Sequence, residues 1–219
     1  MSQGPVVSSL EAHRIIAVIH GRNAESARQI AAALVTEGIQ AIEISFATPG
    51  AAELIARLRL QLEPSIIVGA GSLRTAAEVR RAVASGANFL ASPGIEPEVV
   101  RTMLSTGKTT IPGVFTPSEV MAAAKMGAET VKLSSAYGSD PSYLSSLMGE
   151  FPDIRFIPTC SVADHNVDQW ISHGALAVGI AFPSSLSAVD EPRLQVAVRA
   201  LLDTHRGPPA VGSEPGVQA

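Results

Sequence analysis

Residues 66–78 read Ile66-Ile67-Val68-Gly69-Ala70-Gly71-Ser72-Leu73-Arg74-Thr75-Ala76-Ala77-Glu78. The opening triplet is apolar on both faces, as a parallel strand covered by helices should be. Gly69 to Ser72 reads as a tight turn from strand to helix. Thr75-Ala76-Ala77-Glu78 is a capping box, a hydroxyl and a carboxylate three residues apart that satisfy the first backbone N–H groups of a helix. The stretch is one complete strand–loop–helix unit.

The same unit recurs in both directions along the chain. Strand cores begin near Ile15, Ala41, Ile66, Asn88, Thr109, Thr130, Ile154 and Leu176, roughly 20–26 residues apart. That spacing holds a strand, two loops and about three helical turns, with no room for antiparallel meanders. Thr116-Pro117-Ser118-Glu119 repeats the capping box with proline at the first helical position, and Thr48-Pro49 and Asp140-Pro141 read as further helix starts. Gly38, Gly86, Gly127 and Gly174 stand where helices end. Eight such units in 219 residues place the chain in the α/β class and predict a single closed (β/α)8 TIM barrel, because an open sheet of eight strands would leave two edges to protect. The barrel is expected over residues 1–206 and a flexible Pro/Gly-rich tail over 207–219.

Apolar residues make up 46% of the chain and charged residues 16%, which implies a large core. The net charge of −4, with no run of Lys or Arg and few aromatics, argues against a nucleic-acid or membrane partner and leaves a small molecule. The single cysteine, Cys160, excludes an internal disulfide, and the amino terminus shows no basic segment followed by an apolar one, so a cytoplasmic location is expected. No apolar run approaches the ~20 residues needed to span a bilayer. His13, His20, His165, His173 and His205 show no metal-ligand spacing, and no metal is expected.

Only three lysines occur, and one of them, Lys132, lies inside the apolar run Thr130-Val131-Lys132-Leu133. Alternation puts Lys132 on the face opposite Val131 and Leu133. A lysine inside a buried strand must pair its charge or lose it, and a lysine that sheds its proton is a nucleophile for carbonyl carbons. Strand two, Ile42-Glu43-Ile44-Ser45-Phe46, turns Glu43 and Ser45 inward by the same rule. A carboxylate in a barrel interior needs a partner, and Lys132 is the obvious one. Such a pair is either a structural ion pair or a proton-transfer site.

Glu43 in Ala41-Ile42-Glu43-Ile44, Gly69-Ala70-Gly71-Ser72, Ser92-Pro93-Gly94, Ile111-Pro112-Gly113-Val114-Phe115-Thr116-Pro117-Ser118-Glu119 and Val131-Lys132 together resemble the KDPG/KHG aldolase family, in order and spacing, over roughly Arg14 to Leu202. The resemblance implies a class I aldolase that cleaves or forms a 2-keto-3-deoxy or 4-hydroxy-2-keto acid, giving pyruvate and an aldehyde. It implies catalytic roles for Lys132, as the Schiff-base nucleophile, and Glu43, as the proton carrier. Ser72 stands where the family binds the pyruvyl carboxylate with threonine, and Thr159 matches a threonine at the mouth of strand seven. Pro93, Gly94, His20, Ser134 and Ser161 complete the expected substrate-binding set. No external cofactor is implied, since the iminium on Lys132 is the electron sink, and the expected assembly is a homotrimer.

The chain departs from the family at informative places. His20 replaces an arginine at the end of strand one, Ala47 replaces another after strand two, and Leu133-Ser134-Ser135 replaces an apolar wall after the lysine. Cys160-Ser161 and Ile180-Ala181 stand where the family uses Gly-Gly and Gly-Ser pairs that let backbone N–H groups approach a phosphate. Side chains on Cys160 and Ile180 are expected to obstruct that approach and weaken phosphate recognition. The main rival is a noncatalytic small-molecule-binding barrel derived from the aldolases. A phosphate-using isomerase or synthase on another barrel, and a nucleophile–base pair of Cys160 with His165, fit the sequence less well. Periodicity leaves the direction of Arg155 open.

Overall fold

The computed structural model describes residues 4–134, 140–161 and 167–182. Within them nine parallel strands form one sheet, in the order β5-β4-β3-β2-β1-β9-β8-β7-β6. The strands are β1 (Ile15–Ile19), β2 (Ala41–Ser45), β3 (Ile67–Gly71), β4 (Phe89–Ala91), β5 (Thr109–Ile111), β6 (Gly113–Val114), β7 (Thr130–Ser134), β8 (Arg155–Ser161) and β9 (Val178–Phe182). The two ends of that order, β5 and β6, are halves of one run interrupted at Pro112. Proline has no N–H to give the ladder, so the run divides there, yet the Pro112 carbonyl still accepts from the Lys132 backbone N–H at 2.9 Å. The sheet closes on itself, and the expected (β/α)8 barrel is found with its fifth strand split in two.

Helices follow the strands: α2 (Ala24–Thr36), α3 (Ala51–Gln61), α4 (Ala76–Ala84), α5 (Pro97–Ser105), α6 (Pro117–Met126), α7 (Pro141–Glu150) and α8 (Val167–Ser172). Reciprocal capping boxes begin α4 at Thr75 and α6 at Thr116, and Asp140 caps α7. The four helix-ending glycines all have positive φ. Thr48-Pro49 does not start a helix: Gly50 is the N-cap of α3, and the Thr48 hydroxyl instead accepts from the Gly21 N–H at 3.0 Å, tying the first two loops of the mouth together.

Helix α1 (Pro5–His13) precedes the first strand and was not foreseen. It closes the end of the barrel where strands begin. Val7 and Leu10 pack against Ile16, Ile67, Phe89, Ile111 and Ile157 in an interior cluster distinct from the larger layer between strands and helices. Gly69 to Gly71 also differ from expectation, continuing β3 rather than forming a turn. The glycines are needed inside the barrel: a Cβ at 69 would lie 2.2 Å from the Phe89 ring. The expected tail, 207–219, lies outside the described residues, as do Ser135, His165 and His205.

Candidate active site at the barrel mouth

Alternation along β2 and β7 sorts their side chains as expected. Ile42, Ile44, Val131 and Leu133 join the helix-facing layer, leaving Glu43 and Lys132 to the interior. There Lys132 Nζ donates to both oxygens of Glu43, at 2.6 Å each. The carboxylate is buried, with 1% of its side chain exposed, whereas the lysine retains 14%. The carboxylate is the inner member of the pair, and the lysine side chain is the one that reaches solvent. Charge-assisted contacts to both oxygens offset the cost of burial only while both partners remain.

Gly71 makes room for the Glu43 carboxylate, and Gly113 and Gly179 make room for other groups close to their strands. A Cβ at Gly71 would meet Glu43 Oε1 at 1.9 Å, one at Gly113 the Pro93 carbonyl at 2.5 Å, and one at Gly179 the Thr159 hydroxyl at 2.7 Å. Thr159 pairs in register with Gly179 on one side and Ser134 on the other. Ser134 shares the Lys132 face and is exposed at the rim. Ser161 lies in register with Ala181 at the end of β8.

Ser72 directly follows β3 with φ of 57°, a left-handed conformation that L-residues adopt at a cost of ~1–2 kcal/mol. The buried Ser45 hydroxyl donates to Ser72 Oγ at 2.9 Å and accepts from the Ala47 N–H at 3.3 Å. The strained Ser72 hydroxyl is therefore held from below at the lip of the mouth. Sequence reasoning passed over Ser45 as a site residue, although its place two residues beyond Glu43 on the same face was the available signal.

His20 continues the interior face of β1 after Ile16 and Val18, half-buried, and Val18 pairs with Glu43. Burial lowers its pKa below the usual histidine value; the nearby Glu43 charge raises it and Lys132 lowers it further. Ser92 donates to the Gly94 carbonyl at 2.9 Å, and Pro93 and Gly94 line a cleft with Leu73, Arg74, Ile95 and Glu96. Neither Lys132 nor Glu43 lines that cleft.

Ile180 corrects one half of the expected obstruction, and the other half, the Cys160 side chain, lies outside what is described. Its side chain is fully buried in the helix-facing layer, so strand alternation carries it away from the mouth. Arg155 is resolved as well: it pairs with Glu129 at 3.6 Å near the start of its strand, far from where strands end. Among the described residues no three His, Cys, Asp or Glu side chains gather as a metal site, and no helix is long and apolar enough to cross a membrane.

The chain is 33% identical to 2-dehydro-3-deoxy-phosphogluconate aldolase of Treponema pallidum over 169 residues, 77% of this chain and 80% of that one. It is 30% identical to a probable 2-dehydro-3-deoxy-6-phosphogalactonate aldolase of Rhizobium meliloti over 197 residues, 88% and 93% of the two chains. The fold matches the KDPG aldolase of Legionella pneumophila, solved with pyruvate captured as a covalent carbinolamine, with a TM-score of 0.73 at 23% identity, over 91% of this chain and 98% of that one. The family model for KDPG and KHG aldolase matches residues 6–195, and the chain belongs to this family of carbon–carbon lyases.

Proposed function

We propose that the chain is a class I aldolase in which Lys132 is the Schiff-base nucleophile and Glu43 the proton carrier. The observation that carries this reading is the Lys132–Glu43 pair, a buried carboxylate held by a lysine whose side chain keeps some solvent exposure. Glu43 takes a proton from the ammonium, and the freed amine attacks the keto carbon of the substrate to give a carbinolamine. Glu43 returns the proton to the departing hydroxyl, water leaves, and an iminium remains. In cleavage, Glu43 accepts the proton of the C4 hydroxyl as the C3–C4 electron pair moves into the iminium. The aldehyde departs, and the resulting enamine is protonated at C3 and hydrolysed to pyruvate. The family works through this covalent chemistry without an external cofactor; Ser72 is the hydroxyl assigned to the pyruvyl carboxylate, and Thr159 is a further substrate-binding hydroxyl at the mouth.

The preferred substrates in this reading are 2-keto-3-deoxy or 4-hydroxy-2-keto acids with weakened dependence on a terminal phosphate. With Ile180 turned outward, support for that preference rests on the uncharged Ala47 at the rim and on histidine rather than arginine at position 20. Self-association as a homotrimer in the cytoplasm belongs to the same proposal. Phe115 and Met121 expose large apolar surface of the kind that association buries.

Incubation with pyruvate and borohydride, followed by peptide mass spectrometry, tests the chemistry. A reduced adduct on the Lys132 peptide is expected, and an unmodified lysine in folded protein favours the noncatalytic binding barrel. Retro-aldol rates on phosphorylated and unphosphorylated 2-keto-3-deoxy acids test the preference, which fails if the phosphorylated substrate is much the better.

A further inference from the structure

We propose that His20 is the proton exit of this site, a relay that exchanges the proton held by Glu43 with solvent at the mouth. The inference deepens the Schiff-base reading above and rests on it. Formation of the iminium from an ammonium and a ketone releases water but no net proton. The next step is different. When the pyruvate iminium loses a C3 proton to become the enamine, that proton is transferred to Glu43, which is buried beneath Lys132. For cleavage or condensation the proton can stay there and be reused. For solvent exchange it must leave a carboxyl group with little solvent contact of its own.

His20 is placed for that transfer. It ends β1 on the interior face, one alternation above Val18, whose register partner on the adjacent strand is Glu43. The backbone N–H of His20 is fixed to the Phe182 carbonyl at 3.1 Å, so the imidazole is carried on the barrel wall rather than on a loose loop. It is half-buried and stands two residues beyond Val18, the register partner of Glu43, toward the end where the strands finish. The charged groups acting on it are Glu43 from β2 and Lys132 from β7. The neighbouring end of β9 supplies Ala181 and Phe182, which do not titrate. Its lowered pKa leaves the ring neutral at pH 7, so one ring nitrogen is free to accept a proton from the Glu43 carboxylic acid and the imidazolium formed returns it to solvent. A permanently charged arginine could not accept that proton.

The measurement is deuterium entry into the methyl group of pyruvate, followed by NMR in D2O, divided by the fraction of Lys132 adduct trapped by borohydride under the same conditions. In the wild-type protein this ratio is expected to fall as pH drops through a value below the ordinary 6.5 of histidine, because the imidazolium no longer accepts. His20→Gln and His20→Asn, each checked for fold by circular dichroism, should lower the ratio on the order of ten-fold at pH 7, less than the loss of a directly acting acid–base group. Both should also lose the low-pH inflection. His20 titration followed by NMR in the wild-type protein supplies a second reading, and its midpoint should coincide with the inflection in exchange. An unchanged ratio and inflection in the folded variants, or midpoints that disagree, overturns the relay. Absence of any adduct in the wild-type protein instead overturns the Schiff-base reading on which it rests.

Discussion

Gly71 and Glu43 occupy complementary volumes: a Cβ added to residue 71 would stand 1.9 Å from Glu43 Oε1 and 2.5 Å from its carboxyl carbon. The carboxylate lies where a side chain on the next strand would otherwise be. Gly71→Ala is therefore expected to rotate Glu43 away from Lys132. Overpacking of this kind costs about 1–3 kcal/mol, and loss of an aligned proton carrier lowers rates ~100-fold or more. Thermal unfolding and the rate of pyruvate trapping measure the two effects separately. A variant that traps pyruvate at the wild-type rate contradicts the assignment of Glu43.

The ion pair makes an asymmetric prediction about stability. Lys132→Met leaves the nearly inaccessible Glu43 carboxylate without its only described ionic partner, and removing one member of a buried pair costs about 3–5 kcal/mol. Combining Lys132→Met with Glu43→Gln removes the orphaned charge and should recover part of that loss. Neither variant should form the reduced adduct at residue 132. Urea unfolding of the single and double variants decides whether the cost comes from the orphaned carboxylate.

Much of this site was legible because strand alternation is a strict rule. Ile42/Glu43/Ile44 and Val131/Lys132/Leu133 each place one charge among residues that must face helices, and closure of the sheet brings the two charges together across the barrel. The same rule sends Ile180 outward, and applying it there would have corrected the obstruction expected from that side chain. Glycine roles were less legible. Gly69 and Gly71 look like a turn in one dimension, because the groups that require them, Phe89 and Glu43, are distant in sequence or on another strand. Helix α1 escaped because its packing surface is the floor of a barrel that the local pattern does not reveal.

The hydroxyl pair Ser45–Ser72 separates positioning from chemistry. Ser45 is fully buried and supports Ser72 through a 2.9 Å hydrogen bond. Ser45→Ala should cost about 1 kcal/mol of stability, the size of one lost hydrogen bond. With Ser72 assigned to the pyruvyl carboxylate, the concentration of pyruvate giving half-maximal trapping should rise about three- to ten-fold in this variant, with a smaller change in the maximal rate. Saturation curves for trapping test this, and an unaltered half-maximal concentration counts against the carboxylate assignment.

Glu119 connects a helix cap to the strand beside Lys132. Its carboxylate accepts from the Phe115 and Thr116 N–H groups at 2.8 Å each and from the Thr116 hydroxyl at 2.9 Å, immediately after β6, where Gly113 pairs with Lys132. Burial tends to raise its pKa, but the backbone donors of Thr116 and Phe115, with the Thr116 hydroxyl, together hold it below the usual 4.5. A carboxyl group whose folded pKa is depressed contributes stability above its unfolded pKa and loses it as pH falls through the folded value, because the unfolded chain binds the proton first. Glu119→Gln should therefore cost stability at pH 7, about 1 kcal/mol as for other cap replacements. The gap from wild type should narrow once pH drops below about 4.5, the ordinary glutamate range. Urea unfolding of both proteins from pH 7 down to pH 3 measures the gap directly. A gap that stays constant across that range means the carboxylate charge is not what holds the β6–α6 corner beside Lys132.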